Sequence, residues 1–392
     1  MLLAALRTLF RGRPGTAQAD ADAAAAVKTA IEAGKQKSLA GDHSAAAAAF
    51  QRALAAAPSN AEAHFRLGLA LRDQQRLDDA AASYRRAIEL QPAYVEAHNN
   101  LGSVLQMLEQ SDAALTAYRR AVALGPTFAQ PYLNLGRLYA LAGDTLNAAA
   151  TFEAAIARGI DVDSFRHLLS ALNGETTRRA PDAYTRSLFD NFAADFDRRL
   201  INELGYEVPQ TLVKQIKTLA PQTDLRVLDL GCGTGLCGAA FGEGCSQLTG
   251  IDLSGLMLEK ARARDLYTEL VQSSIETWLE QAPPAAYDIV LAADVWIYCG
   301  DLAPLFASIA RRLVSGGLYA FSVEIASGES FVLQASGRYA HPVAYIRSLY
   351  AGSDLTEVDG FPHHIRGNVN GYIFILRKSC EPRATSNSGA MP

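Results

Sequence analysis

Small and aromatic side chains recur at fixed intervals along the first half of the chain. A glycine stands every 34 residues, and two alanines and one aromatic residue follow it in the same register. The recurring positions are Gly34, Gly68, Gly102 and Gly136; Ala46, Ala80, Ala114 and Ala148; Phe50, Tyr84, Tyr118 and Phe152; and Ala53, Ala87, Ala121 and Ala155. Small residues let two helices approach closely, and an aromatic ring fills the space between them. Proline cannot continue a helix, so Pro58, Pro92 and Pro126 end three of the units. The pattern predicts antiparallel helix pairs stacked into a solenoid.

This repeat resembles the tetratricopeptide repeat (TPR), and the likeness covers about residues 27–160. The resemblance implies a TPR array of four repeats with a concave groove that binds a protein or peptide partner. Arg66, Asn99, Asn100 and Asn134 fall on the first helices of their repeats, which usually line such a groove. These side chains are candidates to hold a peptide backbone. The alternative is that the array is a rigid spacer or a dimerisation surface.

From residue 225 the hydrophobic pattern changes to short runs, rich in leucine or β-branched residues, that alternate with longer helical segments. The predicted strands are Arg226–Leu230, Gln247–Asp252, Glu269–Val271, Ile289–Ala292, Gly317–Glu324, Leu355–Asp359 and Tyr372–Arg377. Such alternation predicts a parallel, doubly wound sheet. Ligands bind such a sheet at the carboxyl ends of its strands, so the chemistry is expected there.

A glycine-rich turn follows the first of these strands and leads into a helix. Gly231, Gly233 and Gly235 are spaced as GxGxG, and their backbone can approach a ligand closely. The dinucleotide pattern GxGxxG would need a glycine where Leu236 stands, so the spacing favours S-adenosylmethionine over a nicotinamide dinucleotide. Asp252 closes the next strand, where a carboxylate can accept both hydroxyls of a ribose.

Three polar residues beyond these motifs are candidates for the reaction itself. Asp294 and Tyr298 follow the fourth strand, whose end faces the cofactor in this type of sheet. His341 follows the run Gly337-Arg338-Tyr339-Ala340, and its near-neutral pKa suits a general base. The alternative for His341 is a turn before a helix. The aromatic segment around Phe189 and Phe196 has helical spacing and is expected to pack in the core or to close over the cofactor.

The motifs after residue 225 resemble class I S-adenosylmethionine-dependent methyltransferases, and the whole layout resembles a bacterial family of predicted methyltransferases that carry TPR repeats. The resemblance implies an N-terminal TPR helical solenoid and a C-terminal Rossmann-like domain with a seven-stranded sheet. It also implies S-adenosyl-L-methionine as cofactor, with Ser273 or Ser274 meeting the adenine in place of the family's usual aspartate. The implied cofactor-binding residues are Asp229, Gly231, Gly233, Gly235, Asp252, Leu253, Met257, Ser273, Ser274 and Asp294.

Changes of composition divide the chain into five segments. Residues 1–26 are small and polar near their end and are expected to be flexible. The TPR array covers 27–160, a linker with one short helix covers 161–182, the methyltransferase domain covers 183–378, and residues 379–392 are expected to be a disordered tail.

Charge and cysteine content exclude several other classes. The formal net charge of −5 gives no general attraction to nucleic acid. Five cysteines without a CxxC pair favour reduced thiols in the cytoplasm and argue against a disulfide framework or a metal site. No apolar run is long enough to span a membrane.

The sequence leaves four functions open, the last of which is a hydroxylating or assembly-factor variant of the fold. In the first, the TPR repeats recruit a protein or peptide substrate to a methyltransferase. In the second, the acceptor is a small molecule and the repeats serve assembly. In the third, the chain is a TPR scaffold with an inactive S-adenosylmethionine-binding fold; the intact glycine turn and Asp252 argue against this reading.

Overall fold

The computed structural model describes residues 14–193, 196–242 and 244–380. The chain divides into two compact units, Met1–Val162 and Asp163–Pro392. The flexible segment expected before residue 14 and the tail expected after residue 380 lie outside the described residues. Within residues 14–26 the expectation of flexible chain is wrong, because a helix begins at Pro14. Alanine has the highest helix propensity, and this stretch is rich in alanine.

The first unit consists of antiparallel helix pairs. Its helices are α1 (Pro14–Leu39), α2 (His43–Ala56), α3 (Ala61–Asp73), α4 (Leu77–Leu90), α5 (Val95–Met107), α6 (Ser111–Leu124), α7 (Ala129–Leu141) and α8 (Thr145–Ala157). Asp42 and Asn60 cap two of them, since each side chain accepts a hydrogen bond from a backbone N–H in the first turn. The predicted helical solenoid is confirmed.

The repeated glycines are the points where paired helices touch. A Cβ atom at Gly68 would lie 2.6 Å from the ring of Tyr84, and one at Gly102 would lie 2.7 Å from the ring of Tyr118. Both rings are fully buried. Because a methyl group would overlap the ring, only glycine allows the aromatic side chain to fill the space between the helices. The same contact recurs in the first and last repeats.

The second unit is built on a seven-stranded sheet in the order β3-β2-β1-β4-β5-β9-β8. Its strands are β1 (Leu225–Leu230), β2 (Cys245–Asp252), β3 (Glu269–Gln272), β4 (Tyr287–Ala292), β5 (Leu313–Glu324), β8 (Leu355–Arg366) and β9 (Val369–Lys378); β6 (Val332–Leu333) and β7 (Tyr339–Ala340) form a separate small hairpin. The first five strands of the sheet are parallel, and β9 and β8 are antiparallel to their neighbours.

Helices precede the sheet and connect its strands. They are α9 (Val162–Leu172), α10 (Asp182–Phe192), α11 (Val208–Leu219), α12 (Leu236–Phe241), α13 (Gly255–Ala263), α14 (Ile275–Gln281), α15 (Ala303–Arg312) and α16 (Val343–Tyr350), with a π-helical turn at Arg198–Glu203 and a 3-10 turn at Trp296–Tyr298. Two clusters of buried apolar residues lie on the two faces of the sheet. The sheet therefore separates two cores and leaves its carboxyl edge free for a site.

The close contact between glycine and aromatic ring can be tested at Gly102. Replacing glycine by alanine in a helix normally stabilises it by about 1 kcal/mol. We expect Gly102→Ala instead to destabilise the first unit by about 1 kcal/mol or more, because the methyl group overpacks against Tyr118. Urea unfolding followed by the helical circular dichroism signal would measure the change.

The double variant Gly102→Ala/Tyr118→Leu is the matched control. Leucine leaves room for the added methyl group, so alanine should be neutral or stabilising in that background. Strictly additive effects of the two substitutions would contradict the proposed contact.

Candidate functional site

The glycine turn after β1 forms the floor of the site. Gly231 and Gly233 have φ angles of +65° and +54°, and residues other than glycine rarely adopt such positive values. A Cβ atom at Gly231 would lie 2.7 Å from Val295, so the turn packs tightly against the chain that follows β4. A Cβ atom at Gly233 would have only one neighbour, the ring of Phe196 at 3.9 Å. The backbone of Gly233 is therefore open to the space above the turn.

The carboxylate of Asp252, at the end of β2, holds this turn in place. One oxygen accepts the backbone N–H of Gly233 at 2.9 Å, and the other accepts the N–H of Ser254 at 2.8 Å. Burial raises the pKa of Asp252, and the two backbone donors oppose this shift by stabilising the charged form. A carboxylate can accept about four hydrogen bonds, so it retains acceptor capacity toward the cavity that it lines.

Tyr267 lies beneath the turn and was not predicted from the sequence. Its ring occupies the space left by three glycines, since Cβ atoms at Gly235, Gly238 and Gly250 would lie 2.9, 2.7 and 2.8 Å from it. Its hydroxyl donates a hydrogen bond of 2.6 Å to Asp229. Gly235 was predicted to contact a cofactor, but it does not line the cavity. It packs against the ring of Tyr267 instead. The sequence could not indicate this contact, because the three glycines approach Tyr267 only in the folded chain.

Asp229 is also set back from the cavity. Its side chain is 1% exposed, and its Oδ1 has no hydrogen-bond partner among the described residues. Burial raises the pKa of Asp229 to about 7. The predicted direct contact with a cofactor is not supported, because the carboxylate lies under the turn. The carboxylate therefore supports the turn from below, through Tyr267.

A cavity of about 390 Å³ opens above the turn, at the carboxyl ends of β1, β2 and β4. Eight of the residues predicted for the site contribute to its lining. They are Gly231, Gly233, Asp252, Leu253, Ser273, Ser274, Asp294 and Tyr298. The outer wall is apolar and includes Leu188, Phe189, Phe192 and Phe196 from α10 and the segment after it. The predicted helical aromatic segment therefore borders the cavity.

The outer wall is attached to the glycine turn by hydrogen bonds. The Asp190 carboxylate accepts a hydrogen bond of 2.5 Å from Ser254 Oγ. Asp197 is bonded to the Thr234 hydroxyl and to the Arg264 guanidinium, and Arg264 also donates to the Thr234 carbonyl at 2.6 Å. Two carboxylates thus tie the segment that covers the cavity to its floor.

The remaining predicted cofactor residues have different surroundings. Ser274 is the N-cap of α14, and its hydroxyl oxygen accepts the N–H of Thr277 at 3.1 Å. The Ser273 hydroxyl donates to the Ser274 carbonyl at 3.0 Å. Met257 is fully buried within α13 and does not line the cavity, so its predicted contact with the cofactor is not supported. Its apolar side chain packs in the core below the site.

A buried ionic cluster lies at the other end of the cavity. Arg366, at the end of β8, pairs with Asp294 and with Glu324, the last residue of β5. Asp294 has a φ angle of +60°, and its backbone N–H donates to Ser322 Oγ at 2.9 Å. Burial raises the pKa of Asp294, and the Arg366 guanidinium counteracts this shift. A buried charge needs a partner, and this requirement explains an arginine with only 5% exposure.

The sequence did not predict Arg366 as a site residue, because it lies far along the chain from every motif. Only the antiparallel return of β9 and β8 beside β5 brings it to Asp294. Its own strand, Leu355–Arg366, contains Thr, Glu, Asp and two histidines, so no local pattern in the sequence indicates this position.

Tyr298 lies at the same end of the cavity as Asp294. Its ring contacts Phe189 edge-on, with the ring centres 5.3 Å apart. Burial raises the pKa of Tyr298 to about 12. Its hydroxyl is therefore protonated at neutral pH and can donate a hydrogen bond into the cavity.

His341 does not reach the cavity, which corrects its prediction as the general base. The side chain is fully buried, and its Nε2 lies 3.0 and 3.1 Å from the carbonyl oxygens of Cys299 and Gly300. Nδ1 has no hydrogen-bond partner among the described residues. Burial lowers the pKa of His341 to about 4. The imidazole is therefore a neutral core group that donates from Nε2 to two carbonyls.

In residues 14–193, 196–242 and 244–380, no group of three or more His, Cys, Asp or Glu side chains is arranged to hold a metal ion. None of the helices in these ranges is both long enough and apolar enough to cross a membrane.

Comparison with known protein families gives matches in both halves of the chain. A model described as "Methyltransferase domain" matches residues 227–317. A model described as "Tetratricopeptide repeat" matches residues 40–95, 66–127 and 99–162. Residues 227–317 are a methyltransferase domain, and the helical repeats before them are tetratricopeptide repeats. The class I, Rossmann-like fold that was predicted behind a TPR array is therefore confirmed.

Several curated relatives are named as methyltransferases. Ubiquinone biosynthesis O-methyltransferase of Thiobacillus denitrificans is 30% identical over 138 residues, which are 34% of this chain and 58% of the relative. The protein of that name from Paracidovorax citrulli is 29% identical, over 34% of this chain and 57% of the relative. Trans-aconitate 2-methyltransferase of an Acidovorax species is 32% identical, over 32% and 48%. The chain spans about half the length of the curated relatives it matches.

Solved structures resemble each half separately. A Burkholderia thailandensis 1,6-didemethyltoxoflavin-N1-methyltransferase is 19% identical, with a TM-score of 0.42, and the match covers 52% of this chain and 93% of that one. The crystal structure of MamA is 30% identical, with a TM-score of 0.33, over 36% and 84%.

The burial of His341 in the methyltransferase domain predicts a pH effect on stability. Its pKa is about 4 in the folded chain against 6.5 when unfolded, so the unfolded state binds more protons between these values. The stabilising contribution is complete above pH 6.5 and is lost as the pH falls towards 4. Between about pH 7.5 and pH 4.5, we expect the wild type to lose about 2–3 kcal/mol more unfolding free energy than His341→Gln.

Urea unfolding of both proteins at the two pH values would measure this difference. Glutamine keeps a donor for the Cys299 and Gly300 carbonyls. Because His341 lies outside the cavity, the variant should also bind S-adenosylhomocysteine as the wild type does. Parallel pH profiles for the two proteins would contradict a neutral buried imidazole.

Proposed function

We propose that this protein is an S-adenosylmethionine-dependent methyltransferase whose TPR repeats recruit a protein or peptide partner. The observation that carries the first part is the carboxylate of Asp252. It holds the glycine turn through the N–H of Gly233 and still faces the cavity with free acceptor capacity. The matching methyltransferase domain supports this proposal.

The residues present fit this cofactor. In our proposal Asp252 accepts the ribose hydroxyls, and the open backbone at Gly231 and Gly233 admits the methionine part close to the turn. Ser273 and Ser274 border the adenine pocket. Leu253, which lines the cavity beside Asp252, supplies an apolar contact.

When bound, S-adenosylmethionine supplies an activated methyl group on a positively charged sulfur. The chain would contribute position and proton transfer. Tyr298 would donate a hydrogen bond to the acceptor, because its hydroxyl stays protonated at neutral pH. Asp294 would take a proton from the acceptor, because burial raises the pKa of its carboxyl group. The aromatic wall formed by Phe189 and Phe196 would exclude water from this step.

The groove of the repeats supports the proposed recruitment. The Asn134 amide donates to Asn99 at 3.0 Å, so neighbouring repeats present a linked pair of amides. Asn100 is half-buried, and Arg66 is held by Glu62 at 2.7 Å. Asparagine side chains carry both donors and acceptors, as an extended peptide backbone does. The proposed partner is therefore a peptide segment bound by its main chain.

A small-molecule acceptor is the second candidate, and the shape of the cavity favours it. A cavity of about 390 Å³ with an aromatic outer wall is in the size range of small-molecule sites. The relatives named above are named for small metabolites. In that case the repeats would serve assembly and would not recruit the acceptor.

Calorimetric titration with S-adenosylmethionine tests the cofactor site. We expect micromolar binding by the wild type and a loss of about tenfold or more in Asp252→Asn, since an amide removes a charged acceptor and misplaces a donor. The exposed Asp224→Asn is the matched control and should bind as the wild type does.

Two other outcomes would change this reading. No binding by the wild type would exclude the proposed enzyme and favour a TPR scaffold with an inactive domain. Wild-type affinity in Asp252→Asn would show that the carboxylate does not hold the cofactor.

Removal of the repeats tests recruitment. Residues 163–392, expressed alone, should bind S-adenosylmethionine with unchanged affinity, because every residue of the cavity lies within this unit. We expect the fragment to lose most labelled-methyl transfer to proteins of a cell extract. Undiminished transfer to the same protein bands would contradict recruitment by the repeats, and transfer found only in small molecules would favour the second candidate.

A further inference from the structure

A rigid turn positions Arg338 at the edge of the cavity. The turn closes through two backbone hydrogen bonds of 2.8 Å, from Gly337 N–H to the Gln334 carbonyl and from Gln334 N–H to the Arg338 carbonyl. The Gly337 carbonyl lies 3.0 Å from Nε2 of the buried His167. The next residue, Tyr339, is fully buried and bonded to Thr177 at 2.5 Å. The backbone on both sides of Arg338 is therefore fixed.

The guanidinium of Arg338 has no partner of its own in the part of the chain that the structure describes. It makes no hydrogen bond or ion pair there, although the residue is half-buried and lines the cavity. It is close enough to lower the pKa of Asp294, Tyr298 and Glu324. The carboxylates of Asp294 and Glu324 are already bonded to Arg366. Arg338 thus stands at the acceptor end of the cavity with its donors free.

The other arginines around the cavity differ from Arg338. Arg179 is paired with Asp182 and with Glu276, the second at 3.0 Å. Arg199 lies over the ring of Phe192, with its guanidinium carbon 5.7 Å from the ring centre. A half-buried guanidinium without a counter-ion loses hydration without compensation, so its natural complement is an anion on the ligand.

We propose that Arg338 binds an anionic group, a carboxylate or a phosphate, on the methyl acceptor. This inference rests on the proposed function, because it assigns the acceptor end of the same cavity. The planar guanidinium would donate two parallel hydrogen bonds to the two oxygens of such a group. Tyr298 and Asp294 lie beside it, so the anion would fix the acceptor next to the residues proposed for the transfer. The apolar wall would contact the rest of the acceptor.

Matched acids and neutral analogues test this proposal. The anionic probes are benzoate and phenyl phosphate, and the neutral probes are benzamide and benzyl alcohol. Each is titrated by ligand-observed NMR, with and without saturating S-adenosylhomocysteine. We expect the acids to bind about tenfold or more tighter than the neutral compounds. Arg338→Gln should remove this preference, and Arg338→Lys should keep part of it. Comparison of benzoate with phenyl phosphate shows which anion the site prefers.

Arg311→Gln is the matched control, because Arg311 is exposed on α15 and away from the cavity. It should keep the wild-type preference for acids. Equal binding of acids and neutral compounds, a preference that survives in Arg338→Gln, or no binding of acids up to about 10 mM would each overturn the proposal. Binding of S-adenosylhomocysteine is measured in a separate titration, so a failure of the proposed function is distinguished from a failure of this inference.

Discussion

Asp252 links the ends of two neighbouring strands through one buried carboxylate. One oxygen accepts the N–H of Gly233 in the turn after β1, and the other accepts the N–H of Ser254 at the start of α13. A buried charge is tolerated only while such donors surround it, so the shape of the turn and the ionisation of the carboxylate depend on each other. Tyr267 supports the same turn from below, and the open backbone above Gly233 is the result.

The opposite end of the cavity depends on a second electrostatic constraint. Two carboxylates, Asp294 and Glu324, share the single guanidinium of Arg366, and all three side chains are largely buried. Removing one partner of such a cluster leaves an uncompensated charge, which costs about 3–5 kcal/mol. Arg338 adds a second positive charge nearby, but it forms no hydrogen bond or ion pair with either of these carboxylates. An anion on the acceptor would find in Arg338 a guanidinium that neither of these carboxylates bonds.

Local patterns predicted the parts of the protein that depend on residues close in sequence. The contact of Gly102 with Tyr118 lies within one repeat, and the glycine turn with Asp252 lies within one strand-turn-helix-strand unit. Arg366 could not be predicted, because only the antiparallel hairpin brings it to Asp294. His341 was misjudged for the complementary reason: its chemistry suits a base, but burial and two carbonyl partners decide its role. Residue type indicates what a group can do, whereas tertiary packing decides what it faces.

The two ends of the cavity also differ in their position relative to the matched methyltransferase domain. The glycine turn, Asp252 and Ser274 lie within residues 227–317, which match the methyltransferase domain. Glu324, Arg338 and Arg366 lie beyond that region, on the last strands and the small hairpin. The matched region therefore contains the end proposed for the cofactor, whereas the charged groups at the acceptor end lie outside it. Because Arg338 is held by its own turn, its side chain can differ without disturbing the turn under the cofactor. The acceptor end is therefore formed partly by these later residues, and among them the unbonded donors of Arg338 point to an anion.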